Sequence, residues 1–350
     1  MTSASVTTPG RRGSGLTVGG FLRSYGIVVA LVILVGAITV AQPGFLAYGN
    51  LMNILSQWAP VGIMGIGMTY VVITGGFDLS VAAIYSLCAV VAAALGRSEP
   101  PLLAFAVALL VGLVVGIANG FVVTGLRVNP FIATLGMSLI ISGVTLVLTG
   151  NIAFVVNFEP FTVLGTGRML GIPFSGMLLI VLMVVAGLIL AYTPYGQAIY
   201  AVGGNTEASR LAGIRTSFTT ASSYALSGLC AAIAGIITAS QLSSAQPSTN
   251  QNLVFDVLTV VIVGGTSLTG GRGAIWRTAV GVAILATLQN GFNLLDIDAY
   301  YQNIIKGLII IAALATVDWR RMLRRPGSPR TAPPSPTPAP SSTSDTLTHR

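Results

Sequence analysis

The sequence predicts an all-α, polytopic integral membrane protein of about ten transmembrane helices, some of them broken or re-entrant. Three observations carry that expectation. Of the 350 residues, 53% are hydrophobic and 7% charged, whereas a soluble domain carries about 25% charge. Apolar runs such as Ile27 to Ala41 and Leu102 to Val123 are too long and too numerous to hide in one soluble core, so the bilayer must be their solvent. Glycine, at 42 residues, suits helices that approach closely through small side chains.

Taken in order, residues 1–24 form a polar leading segment with Arg11, Arg12 and Arg23. Thr39-Val40-Ala41 resembles a signal-peptide cleavage site, but the leading region is long and further spans follow, so the first helix is expected to stay. Apolar runs bounded by Gly, Pro, Asn and charge give spans at 26–42, 55–74, 79–96, 102–124, 131–149, 176–193, 218–240, 253–268, 275–294 and 302–318. A crossing needs roughly 17 to 25 residues. The eighth and tenth spans are therefore expected to be broken, tilted or re-entrant. Residues 25–319 are read as one transmembrane domain. Residues 320–350 are basic and then rich in Pro, Ser and Thr, which account for 17 of the last 25 residues; such a tail cannot bury enough apolar surface to order itself, and it holds the one histidine, His349.

Charge gives the orientation. With the N-terminus inside, the cytoplasmic segments collect 14 arginines, among them Arg127, Arg210, Arg215, Arg272 and Arg277, while the external loops keep only Arg97 and Arg168. Positive residues stay on the cytoplasmic side, so both termini are placed there, together with the polar interruption 194–217. The longest external loop, Gly150 to Ser175, is expected to fold against the outer surface and is a candidate contact for an external partner. The net charge of +8 lies at span ends and leaves no basic face for nucleic acid.

Several chemistries are excluded. There is no GxxxxGK[ST] phosphate loop, and the single lysine, Lys306, lies in IIKGL, so a Walker-type ATPase is ruled out. Neither a nucleophile with its base nor a cluster of metal ligands is present, and Cys88 and Cys230 sit inside apolar segments as small buried residues. The Gly-rich run Gly264 to Gly273 lacks a preceding soluble strand and a lysine, and reads as a turn at the membrane surface. No cofactor is expected. Binding and movement remain.

Polar residues in or beside the spans are the candidates for a translocation path. Asp256 and Lys306 lie within apolar spans, where a charge at the centre costs about 2.5 to 3.5 kcal/mol. They either pair with each other and snorkel, or line a polar path. Asn119, Asn290 and Asn293, near span ends, either hydrogen-bond substrate hydroxyls or cap and join helices. Asp78, in GGFDLSV, either caps a helix that starts at Leu79 or belongs to the path or its gate. Gly112, Gly116 and Gly120, four apart, make a smooth packing stripe. Val71 to Gly76 echoes Val260 to Gly265, and Asn119-Gly120-Phe121 recurs at Asn290-Gly291-Phe292, but the two spacings do not fit one alignment.

Six stretches together are specific: GMTYVVITGGFDLSV (67–81), NPFIATLGM (129–137), YAVGGNTEASRLAGI (200–214), LSSAQPS (242–248), VVIVGGTSLTGGRG (260–273) and NGFNLL (290–295). On these the chain resembles the permease subunits of bacterial ribose, xylose and arabinose ABC importers, in the branched-chain amino acid and monosaccharide permease superfamily. The resemblance covers most of residues 50–318. It implies import of a monosaccharide across the bacterial cytoplasmic (inner) membrane. It also implies a separate cytoplasmic ATPase subunit that binds ATP, an external periplasmic or lipoprotein sugar-binding protein, and a second permease subunit, expected to be identical.

In that class a cytoplasmic EAAxxxG-like element docks on the ATPase. EASRLAG, Glu207 to Gly213, matches it with Ser209 in place of the second alanine. Gly204, Asn205, Glu207, Ala208, Arg210 and Gly213 are accordingly the expected coupling residues, with Glu207 and Arg210 facing partner charges. The family continues DLSV with glycine, where this chain has Ala82. Other small polar cargoes, such as a nucleoside, an amino acid or a furanose signal, and an ion-coupled secondary transporter are the alternative readings.

Overall fold

The computed structural model describes residues 18–247 and 251–322; the polar segment up to residue 17 and the tail from 323, with His349, lie outside the described residues. The described chain is helical apart from four two-residue strands. Its helices are α1 Val18–Ala41, α2 Tyr48–Ile73, α3 Val81–Leu95, α4 Pro101–Thr124, α5 Pro130–Thr149, α6 Glu159–Thr166, α7 Phe174–Tyr192, α8 Pro194–Gly204, α9 Thr206–Leu211, α10 Thr216–Leu242, α11 Gln251–Val263, α12 Ile275–Leu294 and α13 Ala299–Met322, with a short 3-10 turn at Pro43–Leu46. The strands are β1 Phe154–Val155, β2 Arg168–Met169, β3 Ile172–Pro173 and β4 Ser244–Ala245. β1 pairs antiparallel with β4, and β2 with β3.

Each of the ten expected spans corresponds to one helix. Among the described residues, α2, α4, α5, α7 and α10 are each long and apolar enough by length and composition to cross a membrane. The eighth span is short, as its sequence suggested: α11 has 13 residues, about 20 Å of helix against a hydrocarbon core of about 30 Å. The tenth is different, because α13 runs unbroken for 24 residues. It begins before the apolar run, at Ala299, and continues through Arg320 and Arg321. The third is also short, at 15 residues, since the loop before it climbs back into the bundle. The first helix starts at Val18, inside the leading polar segment.

α2 is the central helix: 89% of its most apolar stretch is buried, against 22% for α4 and α5 and 28% for α7. Its apolar residues meet neighbours all round, whereas α4, α5 and α7 show one wide exposed apolar face, as lipid-facing helices do. Pro60 lies inside α2 and cannot donate to the carbonyl four residues earlier. That carbonyl, of Ser56, accepts instead from Gln241 Nε2 of α10 at 3.1 Å. A partner from a neighbouring helix is what allows the proline at membrane depth.

α10 packs between α2, α3 and α4. The expected glycine stripe on α4 is its seat. A Cβ on Gly112 would stand 2.5 Å from the Ala232 methyl, one on Gly116 2.6 Å from the Tyr224 carbonyl oxygen, and one on Gly120 2.8 Å from Ala221 Cα. Backbone meets backbone along this crossing because no side chain intervenes.

The helices alternate in direction, and contacts between loops sort them into two ends. At one end the 264–274 loop, the end of α2 and α8 meet: Gly271 N donates to the Ile73 carbonyl at 2.8 Å, and Tyr200 OH donates to the Gly273 carbonyl at 2.8 Å. Arg210, Arg215, Arg272 and Arg277 gather there. At the other end Arg97 stacks 5.6 Å over the Phe154 ring, and Arg168 donates to Asn53 Oδ1 at 3.2 Å. These are the arginine-rich and arginine-poor ends.

The long loop 150–175 folds against the arginine-poor end of the bundle. Ser240 Oγ of α10 donates to the Phe161 carbonyl at 2.7 Å and accepts from Gly165 N at 2.8 Å, which pins α6 onto the arginine-poor end of α10.

Candidate functional site

The polar interruption 194–217 is not an irregular loop but two helices and the start of a third. Thr193 caps α8, its hydroxyl accepting from Gly196 N at 3.1 Å, and Pro194 at the first helical position needs no partner for an N–H. Asn205 ends α8 and starts α9, its side chain accepting from Ala208 N at 2.9 Å. One asparagine therefore fixes the angle between the two helices.

α9 ends in a two-bond cap. Gly213 N donates to the Arg210 carbonyl and Ile214 N to the Ser209 carbonyl, both at 3.0 Å. This Schellman geometry needs a left-handed residue, supplied by Gly213 at φ 85°.

On α9, only Ser209 is buried, and its hydroxyl bonds back to the Asn205 carbonyl at 2.8 Å. Gly204, Asn205, Glu207, Ala208, Arg210 and Gly213 are all exposed, and so is Leu211, at 77%. Glu207 and Arg210 make a two-pronged ion pair, Nη2 to Oε1 at 2.6 Å and Nε to Oε2 at 3.1 Å. Within the chain each satisfies the other, and both stay exposed. The bond and charge of Arg210 hold the Glu207 carboxyl below the usual carboxylate range, and Glu207 raises the guanidinium in turn.

α9 lies at the surface of the arginine-rich end. Thr74, just past the end of α2, lies 3.5 Å from Ser223 by hydroxyl oxygens. Ser223 is seven residues into α10, so about 10 Å of α10 projects past the end of α2 on the side where α9 leads into it. α8 is fastened beneath: Tyr195 OH meets Ser222 Oγ at 2.8 Å, Tyr200 holds the 264–274 loop, and Gly203 rests against the Ile73 carbonyl. Gly203, Tyr195 and Tyr200 were not singled out by sequence, because aromatic and glycine residues in a short amphipathic stretch carry no distinctive pattern.

The helix-cap reading of Asp78 is corrected. α3 begins at Val81, with Ser80 as its cap residue and no side-chain cap bond. Asp78 Oδ1 accepts from Ser80 N at 3.0 Å and from Ser80 Oγ at 2.6 Å, and Oδ2 accepts from Ser227 Oγ of α10 at 2.7 Å. Asn119 of α4 donates to Ser80 Oγ at 2.7 Å, and its own Oδ1 is buried without a partner. Asp78 and Asn119 are thus brought together through Ser80, joining the α2–α3 loop to α4 and α10. Phe77's carbonyl adds a bond from Tyr224 OH at 3.1 Å and one from Thr134 Oγ1 at 3.2 Å.

The other polar candidates form separate pairs. Lys306 Nζ of α13 lies 3.1 Å from Asp256 Oδ1 of α11 and 3.4 Å from Gln289 Oε1 of α12, with the two charged side chains 17% and 21% exposed. Asn290 exchanges amide bonds with Asn50 of α2 at 2.9 and 3.0 Å. Asn293 Oδ1 accepts from Gln302 Nε2 at 3.1 Å. Each of these polar side chains joins helices, as amides and charges within a bilayer do.

The glycine-rich segments close the arginine-rich end as turns. Gly75 and Gly265 take φ of 85° and 86° and finish α2 and α11 with the same hydrogen-bond pattern, so the sequence echo is a shared helix ending shifted by one residue. Among the described residues no three His, Cys, Asp or Glu side chains stand together as metal ligands.

An all-α, many-helix membrane bundle with a projecting helical element at its arginine-rich end defines a multi-pass membrane permease. The chain belongs to the family of branched-chain amino acid transport system / permease components, which matches residues 50–314. It is 41% identical over 292 residues to the ribose import permease protein RbsC of Escherichia coli, covering 82% of this chain and 91% of that protein. The corresponding Bacillus subtilis protein is 40% identical over 298 residues, 84% of this chain and 92% of its own length. The L-arabinose transport system permease protein AraH of Escherichia coli is 33% identical over 326 residues, 93% and 99% of the two chains. No solved structure matches the chain.

Proposed function

We propose that this chain is the membrane-spanning subunit of an ABC importer that moves a monosaccharide inward across a bacterial cytoplasmic membrane. ATP is bound and hydrolysed by a separate subunit, an external binding protein delivers the sugar, and a second copy of the chain completes the translocation unit. The arginine-rich end faces the cytoplasm, following the positive-inside rule.

The observation that carries this reading is α9: a capped, exposed helix at the arginine-rich end, in the stretch that matches the docking element of such importers. A helix fixed at both ends, by Asn205 and by Gly213, can pass a displacement to α8 and α10 without bending. The sugar assignment draws on relatives named for ribose and arabinose that align along most of the chain.

The test is uptake in proteoliposomes containing the permease with its ATPase and binding protein. Labelled ribose or arabinose is expected to accumulate only with ATP present and only when all three components are present. Accumulation by the permease alone, driven by an ion gradient, would overturn the reading in favour of a secondary transporter.

A further inference from the structure

A cavity of about 330 Å³ lies toward the arginine-poor end, lined by Tyr85, Ser86 and Ala89 of α3, Thr238, Ala239 and Leu242 of α10, Ala153, residues 244–246 and Leu253 of α11. Its position follows from packing. α3 and α10 touch backbone to backbone where Gly235 meets the Tyr85 carbonyl, a contact any Cβ at 235 would obstruct. Beyond that contact a space opens, and the β1–β4 pair, which sets Phe154 opposite Ala245 and Val155 opposite Ser244, crosses the outer rim.

The lining has a distinct chemistry. Tyr85, Ser86, Thr238, Ser244 and Gln246 supply hydroxyl or amide groups, and among the described residues no Asp, Glu, Lys or Arg lines it. Tyr85 and Thr238 stand on the cavity's two main helices, α3 and α10. A hydroxyl donates once and accepts twice, so such a lining matches a molecule that is itself covered with hydroxyls. It offers no counter-charge to a carboxylate, ammonium or phosphate. Its volume is at the lower end of the range for small-molecule sites, about 300 to 1,000 Å³. Without ionic partners, binding stays weak enough for the molecule to move on, as passage through a membrane protein requires.

We infer that this cavity is a transit site in which a neutral aldose rests after leaving the outer face, held by Tyr85, Thr238 and Gln246. The inference rests on the import reading above and names the residues that meet the cargo.

Two measurements test it. In the complete reconstituted complex, Thr238→Val and Tyr85→Phe are expected to reduce ribose or arabinose uptake per ATP hydrolysed at least about threefold each, the loss of one hydrogen bond. Binding-protein stimulation of the ATPase is expected to persist, and Thr238→Ser is expected to restore uptake. Independently of those variants, Gln246→Cys is expected to react with N-ethylmaleimide above the wild-type background, more slowly with millimolar ribose or arabinose present and unchanged with alanine. Wild-type uptake ratios in both hydroxyl variants, or labelling of Gln246→Cys that no aldose slows, overturns the cavity assignment while leaving the import reading intact. A wild-type complex that takes up no aldose overturns the import reading and this inference with it.

Discussion

Gly203, in the last turn of α8, lies so close to the Ile73 carbonyl oxygen at the end of α2 that a Cβ at 203 would overlap it. The same oxygen accepts from Gly271 N at 2.8 Å. Three segments far apart in sequence thereby meet through backbone alone: the helix before α9, the central helix, and the loop between α11 and α12. On the proposed coupling role of α9, this junction is the route by which a push on it reaches the centre of the bundle.

Gly203→Val is therefore expected to separate α8 from α2. Overpacking a close contact costs about 1–3 kcal/mol, which the remaining bundle can absorb. The expected result is a permease that still purifies as a folded protein and still binds the ATPase. Stimulation of ATP hydrolysis by loaded binding protein should fall severalfold. Full stimulation would remove the junction from the transmission route.

The α4–α10 seat makes a second prediction. Gly116→Leu places a side chain where Tyr224's carbonyl and Ala225 already stand, and is expected to lower thermal stability in detergent by about 1–3 kcal/mol. Leucine in place of Val114, which is 55% exposed on the same helix, is the control and should change little. Equal effects would show that the glycine stripe is not a packing contact.

Asp256 and Lys306 yield a third. Removing one partner of a part-buried ion pair leaves the other charge uncompensated, at a cost of the order of 2 kcal/mol or more. Asp256→Asn and Lys306→Met should each lower the unfolding temperature, and the double variant should recover most of the loss. If both single variants also transport at the wild-type rate, the pair is structural; a transport defect that the double variant retains would place it on the path.

Asp78 gives a fourth. Asp78→Ala leaves Ser80 and Ser227 hydroxyls buried without their acceptor, and about 1–3 kcal/mol of destabilisation is expected. Asp78→Asn keeps an acceptor oxygen and a similar shape, so most of the stability should remain. Equal losses in the two variants would mean that negative charge, rather than hydrogen-bond acceptance, holds the α2–α3 loop.

Much of this architecture was legible in the sequence, and particular residues show why some of it was not. Apolar runs marked every long helix, because lipid leaves no choice but helix for a lipid-exposed segment. The four-residue spacing of Gly112, Gly116 and Gly120 marked the α10 seat, since helical periodicity is local information. The cap reading of Asp78 failed because Ser227, which bonds it, and Asn119, which reaches it through Ser80, lie 149 and 41 positions away and no local pattern records them. Pro60 within a long apolar run gave no hint of Gln241, which supplies the missing donor from another helix. The segment 194–217 was read as one polar stretch because α8 and α9 are 11 and 6 residues long, too short for periodicity to separate. The cavity is a property of where α3 and α10 diverge, and only the packed chain reveals it.

The central claim is that α9 is where work done by an ATPase enters this chain, and its caps give the most direct test. Gly213→Val forces a side chain onto φ 85°, and Glu207→Ala removes the ion pair with Arg210; neither touches the bundle. In the complete complex in proteoliposomes, ATP hydrolysis is measured with and without sugar-loaded binding protein. The account expects both variants to fold and to assemble in the membrane, with the stimulation lost or reduced severalfold. Stimulation equal to wild type in both would contradict it.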